Sequence, residues 1–486
     1  MRSKAGDAPR TMAEKILAGR SADPSASRSV SRSASGSFGG ASGGSSGPRE
    51  LEARVDQVIL ARDPQRALAE GRTAGLKKAS PEISIAYDTV CVRDPSSPPH
   101  LGAPFLSHGV LLARPGAGFP SPVHLERFAS PARLAVTDEP RLAALGGIGM
   151  LTLVVAPAML GQALARGRVR LRSPRSIQVQ LAGRLRPFVS ARDVAFEWLR
   201  RDLAAVVKRA EAASGGPVVL EFGGPGARFL SVPERAILCA MAPHTGAAAA
   251  LFPSDERTEV FLRDERRSKA HRTLVPDAGA PFEEVVSLDL AGVDPLMRLG
   301  AKDAGAGSAG SSSESSESRT IRPVRELSGK PVSQVLLGGD GGVTLRDLFV
   351  VAALLKSKRV PKGLDFLLSV PSRQMLEVLA EAGALGDLIA TGARLVEPDP
   401  RLASGALYPP ASDAGLCLTT CDPEPRTGGR TDAKNAAQAT QAIVVSAETL
   451  AYAVATGKLG DPRAWKRPVR VTVPRALPTD DVFVSR

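Results

Sequence analysis

Two stretches of this 486-residue chain share one grammar, and it restricts the fold more than any other feature. Residues 217–222 (PVVLEF) form an apolar run of strand length. A Gly-Gly-Pro-Gly turn follows, and then Ser231 with Glu234 three residues on, the capping box that opens a helix. The pattern returns at residues 334–337, where a strand-like run meets the glycine-rich loop Gly338, Gly339, Asp340, Gly341, Gly342, and a helix is expected to start at Thr344 with Asp347 closing the same box. Strand, glycine turn and capped helix in succession build parallel sheets, because parallel neighbours need a helical crossover. Residues 176–181 (SIQVQL) predict a further strand, and 191–212 predict one amphipathic helix carrying Trp198. The fold class is therefore α/β.

A chain of this length exceeds one core, since single cores stop growing at roughly 250–300 residues. With 4% aromatic residues, 47 Gly and 39 Pro, the cores must be made mainly of Ala, Val and Leu. Two low-complexity stretches punctuate the chain. Residues 21–48 mix Ser, Gly, Ala and Arg with almost no large apolar side chains, and they read as a disordered insert that acts as a flexible tether. Residues 301–320 read as a linker. The expected division is a segment 1–20 joining the body, the insert, one domain over 49–198, a second over 199–300, the linker, and a third over 321–486.

The net charge of +13 raises nucleic acid as a partner, but Arg is spread along the chain and no basic run is interleaved with aromatics. The densest cluster, residues 263–272, also holds Asp264 and Glu265 and reads as a solvated helix face. Cys91, Cys239, Cys417 and Cys421 are too few and too irregularly spaced for a disulfide framework, which points to a reducing compartment. The first ten residues lack an apolar signal region, and no stretch has 18 uninterrupted apolar residues. A soluble cytoplasmic protein without a membrane anchor is expected.

Several motifs, in order, resemble those of aconitase and 3-isopropylmalate dehydratase large subunits. Residues 118–129 (GFPSPVHLERFA) are similar to that family's G-I-C-H-Q-V-H-L-E-R-F-A, and residues 146–151 (GGIGML) to its G-G-L-G-M-L. Residues 220–262 follow its E-F-x-G-x-G, R-x-T-I and F-P-x-D-E series, and residues 334–348 (QVLLGGDGGVTLRDL) its Q-V-F-I-G-S-C-T-N-G-R-I-E-D-L. The resemblance implies three α/β/α domains of three layers each around a central cleft. A separate swivel domain occurs in many relatives, and none is expected within this sequence.

The family adds and removes water across hydroxy acids with a [4Fe–4S] cluster, which needs three thiolates because soft sulfur matches iron–sulfide. By the resemblance, those positions fall on Asp340, Pro400 and Ala403, so no cluster is expected. The family's Asp–His proton-handling pair corresponds to Asp138 beside Glu139 and Pro140, and a helical Asn and Glu become Ala240 and His244. Asp138 and His244 are thus the catalytic candidates. His124 occupies a retained position, and Arg430 matches an arginine that grips a substrate carboxylate in the family, while an insertion around residues 422–427 disrupts the motif's earlier arginine and leaves Arg426 as its candidate replacement. Read without the family, the Gly338–Gly342 loop before a helix is an anion-site candidate, opposed by Asp340 within it.

Three readings follow. The leading one is a pseudoenzyme on this scaffold that binds a small polycarboxylate or a protein partner. The second is an active hydro-lyase or isomerase with a mononuclear metal at Asp138, Asp340 or His244, with or without a separate swivel-type small subunit. The third is a basic scaffold that recruits nucleic acid.

Overall fold

The computed structural model describes residues 8–21, 50–95, 97, 99–300, 318–410, 415–421, 442–479 and 483–484. Nearly all of the expected insert, the linker up to residue 317, and both Arg426 and Arg430 lie outside the described residues.

Three larger sheets organise the rest. The first runs in the order Phe483–Val484, Leu111–Ala113, Ile83–Tyr87, Gln57–Leu60, Leu134–Thr137, Leu151–Val154, parallel except at its first pair. Its central strand shows why it is a middle layer. Val58 and Leu60 pack with Leu68, Leu160 and Leu164 of the helices Pro64–Thr73 and Pro157–Arg166, whereas Ile59 packs with Val123, Leu142 and Leu145 on the opposite side. Alternation with period two, apolar on both sides, buries a parallel strand between two helical layers.

The second sheet is wholly parallel, in the order Ala249–Leu251, Val218–Gly223, Arg175–Ala182, Glu284–Asp289. Its core joins Ile177, Val179, Leu220 and Phe222 to Trp198 and Val207 on the covering helices. The third runs Ile321–Pro323, Leu296–Arg298, Ile443–Val445, Leu416–Thr419, Val332–Gly338, Asp365–Ser369, Arg394–Leu395, with only the two pairings of Leu296–Arg298 antiparallel.

The three sheets do not follow the expected cuts at 198 and 300. The strand Arg175–Ala182 and the helix Ala191–Arg200 belong to the second sheet and its cover, and Leu296–Arg298 hydrogen-bonds into the third. Sheet membership is set by long-range pairing, which composition breaks do not mark. The single helix expected over 191–212 is two helices, Ala191–Arg200 and Leu203–Ser214, because Asp202 adopts a left-handed conformation at φ 55°.

The capping boxes form as the spacing requires. Ser231 and Glu234 open Val232–Cys239, and Thr344 and Asp347 open Leu345–Leu355. The glycine loop before Thr344 has a packing reason. A Cβ on Gly338, at φ 109°, would lie 1.7 Å from the Ser369 carbonyl oxygen, and one on Gly342 would lie 1.6 Å from that of Thr420. The loop backbone is pressed against the ends of two neighbouring strands, and only glycine fits there.

Candidate ligand cleft

In parallel α/β sheets, ligand sites lie beyond the carboxyl ends of the strands, where the following helices begin. Here the helices Val232–Cys239 and Leu345–Leu355 start in the walls of one cleft, at Ser231 and Thr344. Ala191–Arg200 and Ala447–Thr456 enter it from Ser190 and Glu448. Their positive dipole ends are answered by first-turn carboxylates. Glu234 Oε2 accepts from Ser231 N at 2.7 Å, Asp347 Oδ2 from Thr344 N at 2.8 Å, and Asp193 Oδ2 from Ser190 N at 2.8 Å.

The cleft has two chambers. One, of about 250 Å³, is walled mostly by apolar side chains, among them Leu125, Ile237, Phe261, Leu345 and Met375. The other, of about 530 Å³, is the more polar of the two, with Arg184, Arg186, Glu234, Asp347 and Glu448 in its wall beside Phe188, Phe229 and Leu290. Ser231, Arg257 and Arg346 belong to both walls, so the chambers adjoin.

Two buried carboxyls face the apolar chamber. Glu126 accepts from Ser372 Oγ at 2.7 Å, and Glu265 from Gln374 Nε2 at 3.0 Å. Burial raises both, with repulsion from Glu265 adding to the rise at Glu126; Glu265 is pushed up to about 7. Arg267, expected on a solvated face, is instead mostly buried behind them and donates to the carbonyls of Leu125, Glu126 and Ala129. In the polar chamber burial likewise raises Asp347, and Glu448 to about 8, with Asp347 and Asp193 adding repulsion at Glu448.

Of the described residues expected from sequence, Asp138, His124, His244 and Asp340 line neither chamber, and Gly341 of the glycine loop lines the apolar one. The Asp138 carboxylate braces the loop after Gln57–Leu60, accepting backbone N–H groups from Ala61, Arg62 and Asp63 at 2.9, 3.1 and 2.9 Å. His124 is fully buried, with Nδ1 3.0 Å from Tyr87 Oη and Nε2 2.7 Å from Gln57 Oε1. Its pKa is lowered to about 3 by desolvation and then by the Arg267 charge, which keeps the ring neutral. His244 is buried on the short helix Ala242–Thr245, outside the walls of both chambers. Asp340 is buried within the glycine loop, whose Gly341 reaches the apolar chamber. Sequence reasoning did not single out Glu126, Arg257, Arg346 or Glu448. Glu126 stands inside the HLERF run and Arg346 beside Thr344, but only the tertiary fold sets them in one wall.

Three α/β sheets around a cleft walled by helix N-termini, together with the order of motifs, define a class. The chain belongs to the aconitase family: the profile of that family (aconitate hydratase) matches residues 104–412. Its individual relatives include the 3-isopropylmalate dehydratase large subunit 2 of Archaeoglobus fulgidus, 27% identical over 349 residues, covering 72% of this chain and 77% of the relative. The 3-isopropylmalate dehydratase large subunits of Elusimicrobium minutum (23% over 313 residues, 64% and 69%) and Anaeromyxobacter dehalogenans (25% over 364 residues, 68% and 71%) are also similar.

The residues that the motif match sets at the cluster positions do not fit a [4Fe–4S] cluster. Pro400 and Ala403 carry no donor atom, and Asp340 offers a hard oxygen where soft sulfur is needed. The surroundings are packed with carbon: Phe119, Leu336, Leu402 and Cys421 form one buried cluster against Ala403, and a Cβ on Gly339 would sit 2.6 Å from Cys421 Sγ. Cys91 donates to the Pro398 carbonyl at 3.1 Å, and burial pushes it up to about 11. Among the described residues no group of three or more His, Cys, Asp and Glu is placed to hold a metal ion, and no helix is long and apolar enough to cross a membrane.

Proposed function

We propose that this chain is a catalytically degenerate member of the aconitase family that works without an iron–sulfur cluster and binds a small polycarboxylate carrying an aliphatic substituent. The observation that carries this reading is the shared wall: Arg257 and Arg346 stand between a polar chamber and an apolar one. Guanidinium groups grip carboxylates bidentately, while the apolar side contributes burial of about 25 cal/mol per Å². The names of the relatives specify 3-isopropylmalate, a dicarboxylate with a branched aliphatic arm, which matches that division. They also specify large subunits, which supports a separate small subunit as partner. Arg430 and Arg426 are further candidates for carboxylate contact.

The test is to purify the protein without oxygen, reconstitute it with iron and sulfide, and record visible absorbance, iron content and turnover of citrate, isocitrate and isopropylmalate, alongside calorimetric titration with isopropylmalate. Binding without turnover and without stoichiometric iron is expected. A stoichiometric cluster with hydratase activity would refute the degenerate reading.

A further inference from the structure

Of the carboxylates gathered at the helix starts, one differs from the rest. Glu234, Asp347 and Asp193 are held by their own helix caps, and Asp193 Oδ1 also accepts from Leu296 N at 2.9 Å. Glu448, in the first turn of Ala447–Thr456, has no such cap, only a hydrogen bond from its own backbone N–H. It is 6% exposed, it lines the polar chamber, and its Oε2 has no hydrogen-bond partner among the described residues. A buried polar atom left unpaired costs about 1–3 kcal/mol, so its persistence calls for a partner in the chamber.

We propose that Glu448 is a ligand-binding residue in its neutral form, its carboxyl keeping its proton and donating it in a hydrogen bond to a carboxylate of the bound ligand. The inference rests on the polycarboxylate reading above and assigns a role to a residue that reading does not use. The charges facing Glu448 explain why the proton stays. Asp347 and Arg346 approach from Leu345–Leu355, and Asp193, itself answered by Arg192, from Ala191–Arg200. Glu234 repels Asp347 from Val232–Cys239, and Arg184, Arg186 and Arg257 complete the wall. An ionised Glu448 would stand beside other carboxylates away from water. A neutral one gives the arginines an anion to share and donates to it, as protonated carboxyls do in apolar oxyanion sites. Binding is then lost as the proton leaves, which burial and repulsion place at about 8.

The experiment is calorimetric titration of the full chain and of Glu448→Gln with isopropylmalate at pH 7 and pH 9. The ligand carboxylates keep their charges over this range. For the wild type, the neutral fraction of a group titrating at about 8 falls about tenfold between those pH values, and affinity is expected to fall by the same factor. Glu448→Gln, a neutral donor of the same shape, is expected to bind within about threefold of wild type at pH 7 and to be unchanged at pH 9. Glu265 titrates in both proteins and cancels from the comparison.

Wild-type affinity that stays flat, or falls equally in the variant, overturns the role of Glu448 alone. Absence of binding by both proteins at both pH values overturns the polycarboxylate reading, and this one with it. The melting temperatures of the two proteins, followed from pH 5 to pH 9 without ligand, read the proton directly. A folded-state pKa above the unfolded value means stability present at low pH and lost as pH rises, so the variant should gain on wild type toward pH 9. Parallel curves overturn the neutral state.

Discussion

The side chain of Arg235 is fully buried at the start of the helix that carries Ser231 into both chambers. Its guanidinium makes five hydrogen bonds: Nε to Leu230 O at 3.1 Å, Nη1 to Pro253 O at 3.1 Å and Asp255 Oδ1 at 2.9 Å, and Nη2 to Ala227 O at 3.1 Å and Asp255 Oδ2 at 2.7 Å. One planar fork thus ties the loop before the helix, the segment that follows the strand Ala249–Leu251, and Asp255, which caps the helix Glu256–Asp264. Replacing Arg235 with Met keeps the length of the side chain and removes every donor. Three backbone carbonyls lose about 1 kcal/mol each. The Asp255 pair adds about 1 kcal/mol rather than more, because that side chain is 29% exposed and keeps its cap bonds. The total, about 4 kcal/mol, falls in the range for removing one partner of a buried pair. With a guanidinium m-value of about 5 kcal/mol per M, the unfolding midpoint should drop by about 0.8 M. Trp198 lies in the same core and Trp465 in the third, so Trp465→Phe as background leaves Trp198 as the reporter. Arg235→Lys should lose most of the same stability, since an ammonium cannot span these acceptors. A midpoint shift under about 0.2 M for Arg235→Met would refute the argument that this fork holds the helix.

Other predictions concern packing and pH. Gly342→Ala places a Cβ against the Thr420 carbonyl and should cost at least about 3 kcal/mol, measurable as a lower melting temperature or lost soluble yield; a near-neutral effect would show that the loop does not press on that strand. His124 is held neutral with its pKa lowered to about 3, so the stability it contributes is present above the unfolded value of about 6.5 and is lost as pH falls from there toward 3. Wild type should therefore lose about 2 kcal/mol relative to His124→Gln by pH 5, read from paired denaturation curves, and an unchanged difference would contradict the burial.

Much of the local structure was legible. The S/T-x-x-acid spacings at Ser231 and Thr344 give capped helices where expected, and Ser190 with Asp193 is the same signal, unremarked because the chain around it reads as one long helix. That helix breaks at Asp202, a residue type that tolerates the left-handed conformation but does not announce it. The site was less legible. Asp138 and His124 keep the residue types a site would need, yet their atoms are engaged in bracing a loop and a core. Glu448 stands in a Ser-Ala-Glu run, residues 446–448, that resembles the family's, but its setting comes from Asp193 and Asp347, which are distant in sequence.

The pairing of Phe483–Val484 with Leu111–Ala113 bears on how the protein is made. Phe483 also meets the ring of Phe128 edge-on, at 4.8 Å between centroids, over the helix that carries His124 and Glu126. The first sheet therefore leaves the ribosome with a bare edge and an uncovered aromatic. Both wait for a strand encoded some hundreds of codons later, at about 5–20 residues per second. During that interval of tens of seconds the Leu111–Ala113 edge is the natural place for a chaperone, or a second nascent chain, to add a strand.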